Sequence, residues 1–181
     1  MNQLQQYISV THYNTPFGEL ILGSFEGQLC LCDWRYRKMR TALDNRIKTG
    51  LQSEFKMQET PVINQTIRQL EEYFEGSRKS FNIPLRLVGS GFQVNVWNTL
   101  MQIPFGETIT YLDLARKLGD EKSIRAAATA NGANAISIIV PCHRVVGQNG
   151  KLTGYAGGLD AKRKLLLLES KGMHKNELPL F

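Results

Sequence analysis

The feature that most constrains this chain is a short apolar run, residues 136–140, which ends at Pro141 and leads directly to Cys142 and His143. The run has the length and the β-branched content of a buried strand. Pro141 cannot donate to a sheet ladder, so the strand is predicted to end there. This pattern predicts a thiol and an imidazole in consecutive residues just after the C-terminal end of a buried strand.

Cys142 is a candidate nucleophile because the thiolate is the reactive form of cysteine, and its free pKa of about 8.5 calls for a base at neutral pH. His143 could be that base, but neighbouring side chains on a strand point to opposite faces. Either the segment forms a tight turn, or His143 reaches the thiol through a water. The alternative, a small buried apolar residue beside an unrelated histidine, stays open on these two residues alone.

The composition indicates a soluble globular protein of one or two domains, with 181 residues of which 42% are hydrophobic and 21% charged. Three cysteines do not make a disulfide framework, the N-terminus lacks the features of a signal peptide, and no apolar stretch of about 18 residues is present. We therefore expect a cytoplasmic protein with no membrane association. The net charge of +6 is compatible with a polyanionic partner, but both halves of the chain share it.

The N-terminal part is predicted to form an antiparallel meander of three strands, 7–13, 19–25 and 28–34, with one face covered. Cys30 and Cys32 are two apart, so both are predicted to point to the same face of the third strand. A structural zinc site needs four ligands at characteristic spacing. These two cysteines and His12 would supply three ligands, and the sequence shows no fourth. Core packing is therefore preferred, and no metal site is expected.

Residues 35–59 are polar and open with several basic side chains, which indicates a solvated loop or short helix rather than a nucleic-acid patch. A helix is predicted from the N-cap Thr60 to about Gly76, and its apolar stripe is expected to cover the meander. A strand is predicted at 83–88. The glycine-rich break that follows divides the chain into proposed domains at 1–88 and 89–181.

The second half is predicted to be mainly helical. A first helix opens at 90–91 and has several apolar residues on one side: Phe92, Val96, Trp97 and Leu100. A second helix follows a capping pair, Thr110 with Asp113. A third helix begins after Asp120 or Ser123, and the short glycine-containing link between the last two helices is typical of a helix-turn-helix.

This third helix, residues 124–133, carries one long side chain, Arg125, followed by small residues that include Ala126 and Ala127. Small residues let a helix backbone come very close to its neighbour. One interpretation is tight packing on another helix, since Ala is also the best helix former. The other is close approach to a nucleic-acid groove with Arg125 reaching in. The pattern alone does not decide between them.

Glu169 stands out in the last predicted helix, because it shares a face with leucines at the negative end, where a carboxylate is disfavoured by about 0.3–1 kcal/mol. A carboxylate placed in this way usually holds a cation or an imidazole, although a frayed helix end is the alternative. The helix is predicted to stop at Gly172, before a loose tail at 173–181. Ahead of it, the glycine-rich loop around Tyr155 has a bare backbone that could approach a ligand.

The hexapeptide at 141–146 reads Pro-Cys-His-Arg-Val-Val, and a set of other residues stands in order around it: Phe92-Gln93, residues 103–107, Tyr111, Arg125-Ala126, Asn134, residues 155–158 and Glu169. This set, which covers residues 90–172, resembles the O6-alkylguanine-DNA alkyltransferases, also called methylated-DNA–protein-cysteine methyltransferases. The first 88 residues fit the N-terminal domain of that family more loosely.

The resemblance implies an α/β (α+β) fold with a ribonuclease H-like N-terminal meander and covering helix, and a helical, winged-helix-like C-terminal domain with a helix-turn-helix. It implies DNA repair by direct reversal, in which the alkyl group of O6-alkylguanine, and also of O4-alkylthymine, passes irreversibly to Cys142 in a single turnover. The implied partner is double-stranded DNA carrying the lesion. No cofactor and no metal are expected, and the chain is expected to act as a monomer.

The resemblance also implies the roles of the catalytic residues. Cys142 attacks the alkyl carbon, His143 takes the thiol proton through a water, and Glu169 orients and charges the imidazole. Asn134 ties the recognition helix to the active-site turn. Tyr111 donates a proton so that guanine leaves as a neutral base.

Contacts with DNA and the base are implied for a second group: Arg125, Ala126, Ala127, Tyr155, Ala156 and Val145. Arg125 fills the stack when the target nucleotide is turned out, and the small residues after it lie in the minor groove. Tyr155 and the backbone of Ala156 line the base pocket, and backbone carbonyls near Val145 accept from the guanine amino group. The chain departs from some relatives in having no zinc-ligand pattern and in having Ala156 where they have Ser, which leaves the backbone contact possible.

Two other functions compete with this one. A cysteine hydrolase that used Cys142, His143 and Glu169 would turn over repeatedly, and it gives no role to Arg125. A lesion-binding protein without chemistry is the other, but relatives of that kind lack the active-site cysteine that is present here.

Overall fold

The computed structural model describes residues 6–171, so the predicted stop at Gly172 and the tail at 173–181 lie outside the described residues. The predicted meander is confirmed by three antiparallel strands: β1 (Ile8–Thr15), β2 (Gly18–Phe25) and β3 (Gln28–Trp34). A short fourth strand that was not predicted, β4 (Phe55–Met57), pairs parallel with β1. The sheet order is β3-β2-β1-β4.

The prediction that Cys30 and Cys32 share a face is wrong. The ladder between β2 and β3 shifts register, so that Ser24 pairs with Leu29 but Gly23 pairs with Leu31. Cys30 is therefore the extra residue of a β-bulge, and alternation breaks at that point. Cys32 packs in the larger apolar core, whereas Cys30 packs in the smaller one, and both thiols are buried.

Helices cover both faces of the sheet, which corrects the expectation of one covered face. On one side is α1 (Arg40–Leu51), inside the segment predicted to be a solvated loop or short helix. Its buried residues Leu43, Ile47 and Leu51 recur every four positions in an otherwise polar sequence, which suits one face of a helix. On the other side, α2 (Pro61–Phe74) begins as predicted, with the Thr60 side chain accepting from a backbone N–H in the first turn.

The described residues of the C-terminal part form four α-helices: α3 (Gly91–Leu100), α4 (Tyr111–Lys117), α5 (Ile124–Gly132) and α6 (Gly158–Lys171). The predicted capping pair of α4, Thr110 with Asp113, forms a capping box, and α3, whose start was predicted at 90–91, has a second box of Ser90 with Gln93. Four residues were predicted to form the apolar side of α3. Val96, Trp97 and Leu100 are buried, whereas Phe92 is exposed. The helices α3, α4 and α5 contact one another, and two short strands, β5 (Ile109–Thr110) and β6 (Val145–Val146), pair in parallel beside them.

The predicted strand at 136–140 is wrong, although the segment is almost entirely buried. Only Ile136 forms a bridge, to β3, and the chain then folds into a compact turn in which Ile138 has a φ of 72°. The side chain of Asn134 explains this: its Oδ1 accepts from Ile136 N at 2.9 Å, and its Nδ2 donates to Val140 O at 2.9 Å. One carboxamide thus satisfies backbone groups that a strand would pair with a neighbour.

The predicted strand at 83–88 is also wrong, since only Leu85 forms a bridge, with Leu29 of β3. Pro84 in that segment has no N–H to offer a ladder. The larger apolar core contains residues from both sides of 89–91, among them Leu70 and Trp97. The boundary between domains at 1–88 and 89–181 stays a prediction.

Candidate active site

Cys142 lines a cleft of about 740 Å³ that lies between the two halves of the chain. The end of β3 and the residues after it form one wall, and the start of α4, one side of α5 and the loop at 154–159 form the others. Several residues singled out from the sequence line this active-site cleft: Tyr111, Asn134, Cys142, Tyr155 and Ala156.

The thiol of Cys142 sits in a short 3-10 turn, Cys142–Arg144, which directly follows the compact turn described above. Asn134 Nδ2 lies 3.2 Å from Cys142 Sγ, so the amide that shapes the turn also donates to the sulfur. Burial raises the pKa of the Cys142 thiol, and the hydrogen bond from Asn134 opposes that rise. The resting group is therefore a thiol that needs a base, with a donor already placed to stabilise the thiolate.

The imidazole of His143 is fully buried, and its Nε2 lies 2.8 Å from Glu169 Oε1. Burial lowers the pKa of His143, against the opposing effect of the Glu169 carboxylate. A carboxylate partner places the ring proton on Nε2, which leaves a lone pair on Nδ1. Among residues 6–170, no side chain or backbone group hydrogen-bonds to Nδ1, so this atom is available to accept a proton.

Glu169, on α6, binds both a cation, Arg144, and an imidazole, that of His143. Its position in the sequence had predicted a partner of one of these two kinds. Arg144 Nε donates to Oε2 at 2.8 Å and Arg144 Nη2 donates to Oε1 at 3.0 Å. The backbone N–H of Gly106 lies 3.3 Å from Oε2. Burial by itself would raise the pKa of Glu169, but His143 and Arg144 outweigh it and lower this pKa to about 2. The carboxylate is thus ionised at neutral pH.

Two tyrosines line the active-site cleft. Tyr111 is the first residue of α4, and its hydroxyl accepts from Thr153 Oγ1 at 3.3 Å. Tyr155 packs the edge of its ring against Trp34 of β3, with the ring centroids 6.0 Å apart. Val145 is fully buried, and its carbonyl accepts from Lys162 Nζ at 2.7 Å, so this carbonyl already has one donor.

The residues predicted to contact DNA on α5 do not all reach the surface. Arg125 and Ala126 are exposed, whereas Ala127 is fully buried in the larger core. A residue buried in this way cannot contact DNA, so the prediction for Ala127 is wrong. The helical period turns positions 127, 130 and 131 inwards, so the interpretation as tight packing is confirmed for that face of the helix, and approach to a nucleic-acid groove stays a prediction for the exposed face.

The sequence also missed several residues of the site. Arg144 was seen only as part of the hexapeptide, and the buried amine of Lys162, whose pKa burial lowers to about 8, was not singled out. Tyr73 of α2 donates its hydroxyl to Glu169 Oε1 at 2.7 Å. A tyrosine on the apolar stripe of α2 was an available signal, since a buried phenol needs a hydrogen-bond partner.

The basic side chains after β3 are not simply solvated. Arg37 donates to the carbonyls of Gly132 and Asn134, at 2.7 and 3.0 Å, and Arg46 donates to that of Ala133 at 2.8 Å. Arginines near the last carbonyls of a helix interact favourably with its negative end. These contacts fix the C-terminal end of α5 to the N-terminal half of the chain.

The described residues include neither a candidate metal cluster nor a helix that could span a membrane. Among them, no three side chains of the metal-ligating types come together. None of the described helices has the length and apolar character that crossing a membrane requires.

Comparison with known proteins identifies both halves of the chain. The model of the 6-O-methylguanine DNA methyltransferase ribonuclease-like domain matches residues 8–87, and that of the DNA binding domain matches residues 91–171. A constitutive methylated-DNA–protein-cysteine methyltransferase of Bacillus subtilis is 40% identical over 162 residues, 87% of this chain and 92% of that relative. The methyltransferase of Methanosarcina acetivorans is 58% identical over 102 residues, 56% of this chain and 65% of that relative.

A solved structure agrees with these matches. Mycobacterium tuberculosis OGT in complex with DNA is 36% identical in sequence, with a TM-score of 0.78 over 91% of this chain and 94% of that one. The fold class predicted from the sequence is confirmed. This chain belongs to the methylated-DNA–protein-cysteine methyltransferase family.

Proposed function

We propose that this protein repairs alkylated DNA by direct reversal, transferring the alkyl group of O6-alkylguanine to its own Cys142. The observation that carries the proposal is the arrangement of that thiol: Asn134 donates to the sulfur, and the next residue, His143, is held by Glu169. The arrangement suits a nucleophile whose base is itself oriented by a third group, with a water carrying the proton from the thiol to His143. The active-site cleft gives a base of the size of guanine access to the sulfur.

The proposed reaction moves one alkyl group and, in net terms, one proton. The thiol proton passes through a water to His143 Nδ1, and the Cys142 thiolate attacks the alkyl carbon. As the S–C bond forms, the bond from that carbon to O6 breaks and its electron pair stays with the purine. Tyr111 donates its phenol proton to the base, so guanine leaves neutral, and the proton on His143 returns to Tyr111 by way of solvent. No cofactor takes part in this displacement.

The DNA enters, we propose, along the exposed side of α5. Arg125 and Ala126 lie on that side, and the M. tuberculosis relative was crystallised with DNA. Turning a nucleotide out of the duplex costs a few kcal/mol, and a side chain that fills the vacated stack offsets this cost. Arg125 is the long side chain placed to do so. Tyr155 and the backbone of Ala156, which line the cleft, would then contact the extruded base.

The transfer leaves a thioether on Cys142, which has no good leaving group, so each molecule acts once. A reaction that depends on a free thiol suits a reducing compartment, and we propose that the protein works in the cytoplasm. Every residue of the proposed chemistry comes from one chain, so a monomer is sufficient.

The test is to incubate the protein with a duplex that contains a single O6-methylguanine and to map the modified peptide by mass spectrometry. We expect one methyl group on Cys142 and a limit of one lesion repaired per protein molecule. Cys142→Ala is expected to bind the same duplex and leave the lesion unrepaired. Repeated turnover, or repair without an adduct on Cys142, would overturn the proposal, and a parallel duplex with O4-methylthymine tests the second lesion.

A further inference from the structure

Tyr73 is a polar residue in an apolar and aromatic part of the core. It lies near the C-terminal end of α2, is 1% exposed, and packs against the rings of Phe74, Phe81 and Phe105 at centroid distances of 5.4, 5.5 and 6.2 Å. A hydroxyl buried in such surroundings is costly unless it is hydrogen-bonded. Its bond is to Glu169, 96 residues further along the chain. This contact joins the N-terminal half of the protein to the active-site carboxylate.

One oxygen of Glu169 receives three donors. Oε1 accepts from Tyr73 at 2.7 Å, from His143 Nε2 at 2.8 Å and from Arg144 Nη2 at 3.0 Å. Burial and the neighbouring carboxylate raise the pKa of Tyr73 well above its ordinary value, so the phenol remains a donor at every working pH. The three donors share the negative charge of one oxygen.

Other charged and titratable groups also act on the imidazole of His143. Arg144 and Lys162 lower its pKa, while Glu169 raises it. The ring of Tyr155 lies 6.3 Å away, centroid to centroid. Glu169 is thus the group that favours the imidazolium, and any donor to its shared oxygen weakens that effect.

We propose that Tyr73 is a positioning residue for alkyl transfer: its hydroxyl holds the oxygen of Glu169 that also bonds His143, and so limits the negative charge presented to the imidazole. The inference rests on the proposed function, in which His143 must be neutral to accept the thiol proton. It gives the N-terminal half of the chain a part in the chemistry beyond support.

Tyr73→Phe removes the donor and keeps the ring. Glu169 would then present more charge to His143, stabilise its protonated form and raise its pKa. We expect the acid side of the pH–rate profile to move up by about half to one pH unit, so that transfer at pH values below the His143 midpoint slows roughly 3- to 10-fold. At pH 8.5, where the imidazole is neutral in both proteins, the two rates should agree within about twofold. A purely structural defect would lower the rate by one factor at every pH.

The experiment measures single-turnover methyl transfer from the duplex substrate between pH 4.5 and 9, for the wild type, Tyr73→Phe and Tyr13→Phe. Tyr13, on β1, lines a different cavity, so its variant is a matched control that should follow the wild type. The titration midpoint of His143 is followed by NMR in the same proteins, with the resonance assigned by its loss in His143→Gln. Fluorotyrosine at position 73 is a stronger donor and should move the midpoint in the opposite direction.

An upward shift of both the acid side of the pH–rate profile and the His143 midpoint in Tyr73→Phe, with the opposite shift for fluorotyrosine, supports the proposal. An unchanged midpoint, or slowing by the same factor at all pH values, overturns it. The NMR titration needs no substrate. A wild-type protein that transfers no methyl group would refute the proposed function, while the titration would still decide whether Tyr73 acts on His143.

Discussion

Arg144 binds Glu169 through two parallel hydrogen bonds, Nε to Oε2 at 2.8 Å and Nη2 to Oε1 at 3.0 Å, and both side chains are buried. The remaining Arg144 nitrogen, Nη1, donates to the carbonyl of Ile103 at 2.6 Å. The planar guanidinium matches the carboxylate in a way that an ammonium cannot. The pair therefore keeps the carboxylate ionised and fixes the orientation in which it meets His143.

Arg144→Lys is expected to lower the free energy of unfolding by about 3 kcal/mol, because it retains the charge but breaks a buried bidentate pair. Methyl transfer should slow as well, since Glu169 loses its fixed orientation. Urea unfolding checks the first effect and the duplex assay the second. A variant as stable and as fast as the wild type would show that the two parallel hydrogen bonds between Arg144 and Glu169 are not needed.

Acid should remove the stability that ionised Glu169 provides. Its pKa is about 2 in the folded protein, below the ordinary value of 4.5, so the unfolded chain binds the proton more tightly. The contribution, about 3 kcal/mol, is complete above pH 4.5 and is lost as the pH falls towards 2. We expect the difference in unfolding free energy between the wild type and Glu169→Gln to narrow over that window. A difference independent of pH would contradict this account of the carboxylate.

Gly157→Ala should disturb the loop that carries Tyr155. A Cβ at this position would lie 2.6 Å from the ring of Trp34, and overpacking of this kind costs about 1–3 kcal/mol. Gly154→Ala in the same loop is the control, since a Cβ there meets no atom within 4 Å. Thermal unfolding should change for the first variant and not for the second, and the first variant should also transfer more slowly than the wild type. Equal behaviour of the two would argue against close contact between the loop and Trp34.

Arg125→Ala should slow repair of a duplex lesion about 10- to 100-fold, because the cost of turning the nucleotide out is no longer offset. Repair of the same lesion in a single strand should be affected much less. Lys122→Ala removes another exposed positive charge just ahead of α5 and serves as the control for simple loss of attraction to phosphate. If both variants behaved alike on both substrates, Arg125 would be acting through charge alone.

Much of this fold follows from local signals in the sequence. The three strands of the meander, the Thr60 cap and the two capping boxes depend on residues a few positions apart, and the structure contains all of them. The errors arose where a distant or unusual partner decides the conformation. Residues 136–140 form a turn because a single side chain, Asn134, satisfies their backbone, which a count of apolar residues does not reveal.

The site was predictable to the extent that its residues are close in sequence or match the family. The hexapeptide with Cys142 indicated the chemistry, and the odd position of Glu169 indicated a partner. Neither signal identifies Tyr73, because its contact with Glu169 depends on how the two halves of the chain pack. Likewise, strand periodicity cannot anticipate the β-bulge at Cys30, which separates it from Cys32.

The carboxylate of Glu169 joins parts of the chain that are made at different times. It lies 96 residues after Tyr73 and 26 after His143. A nascent chain on the ribosome therefore carries the thiol and the imidazole well before the group that orients them. In the proposed mechanism the sulfur can be activated only when residue 169 has emerged and folded back, and any translation product that stops short of it would hold a cysteine whose base has no orienting carboxylate.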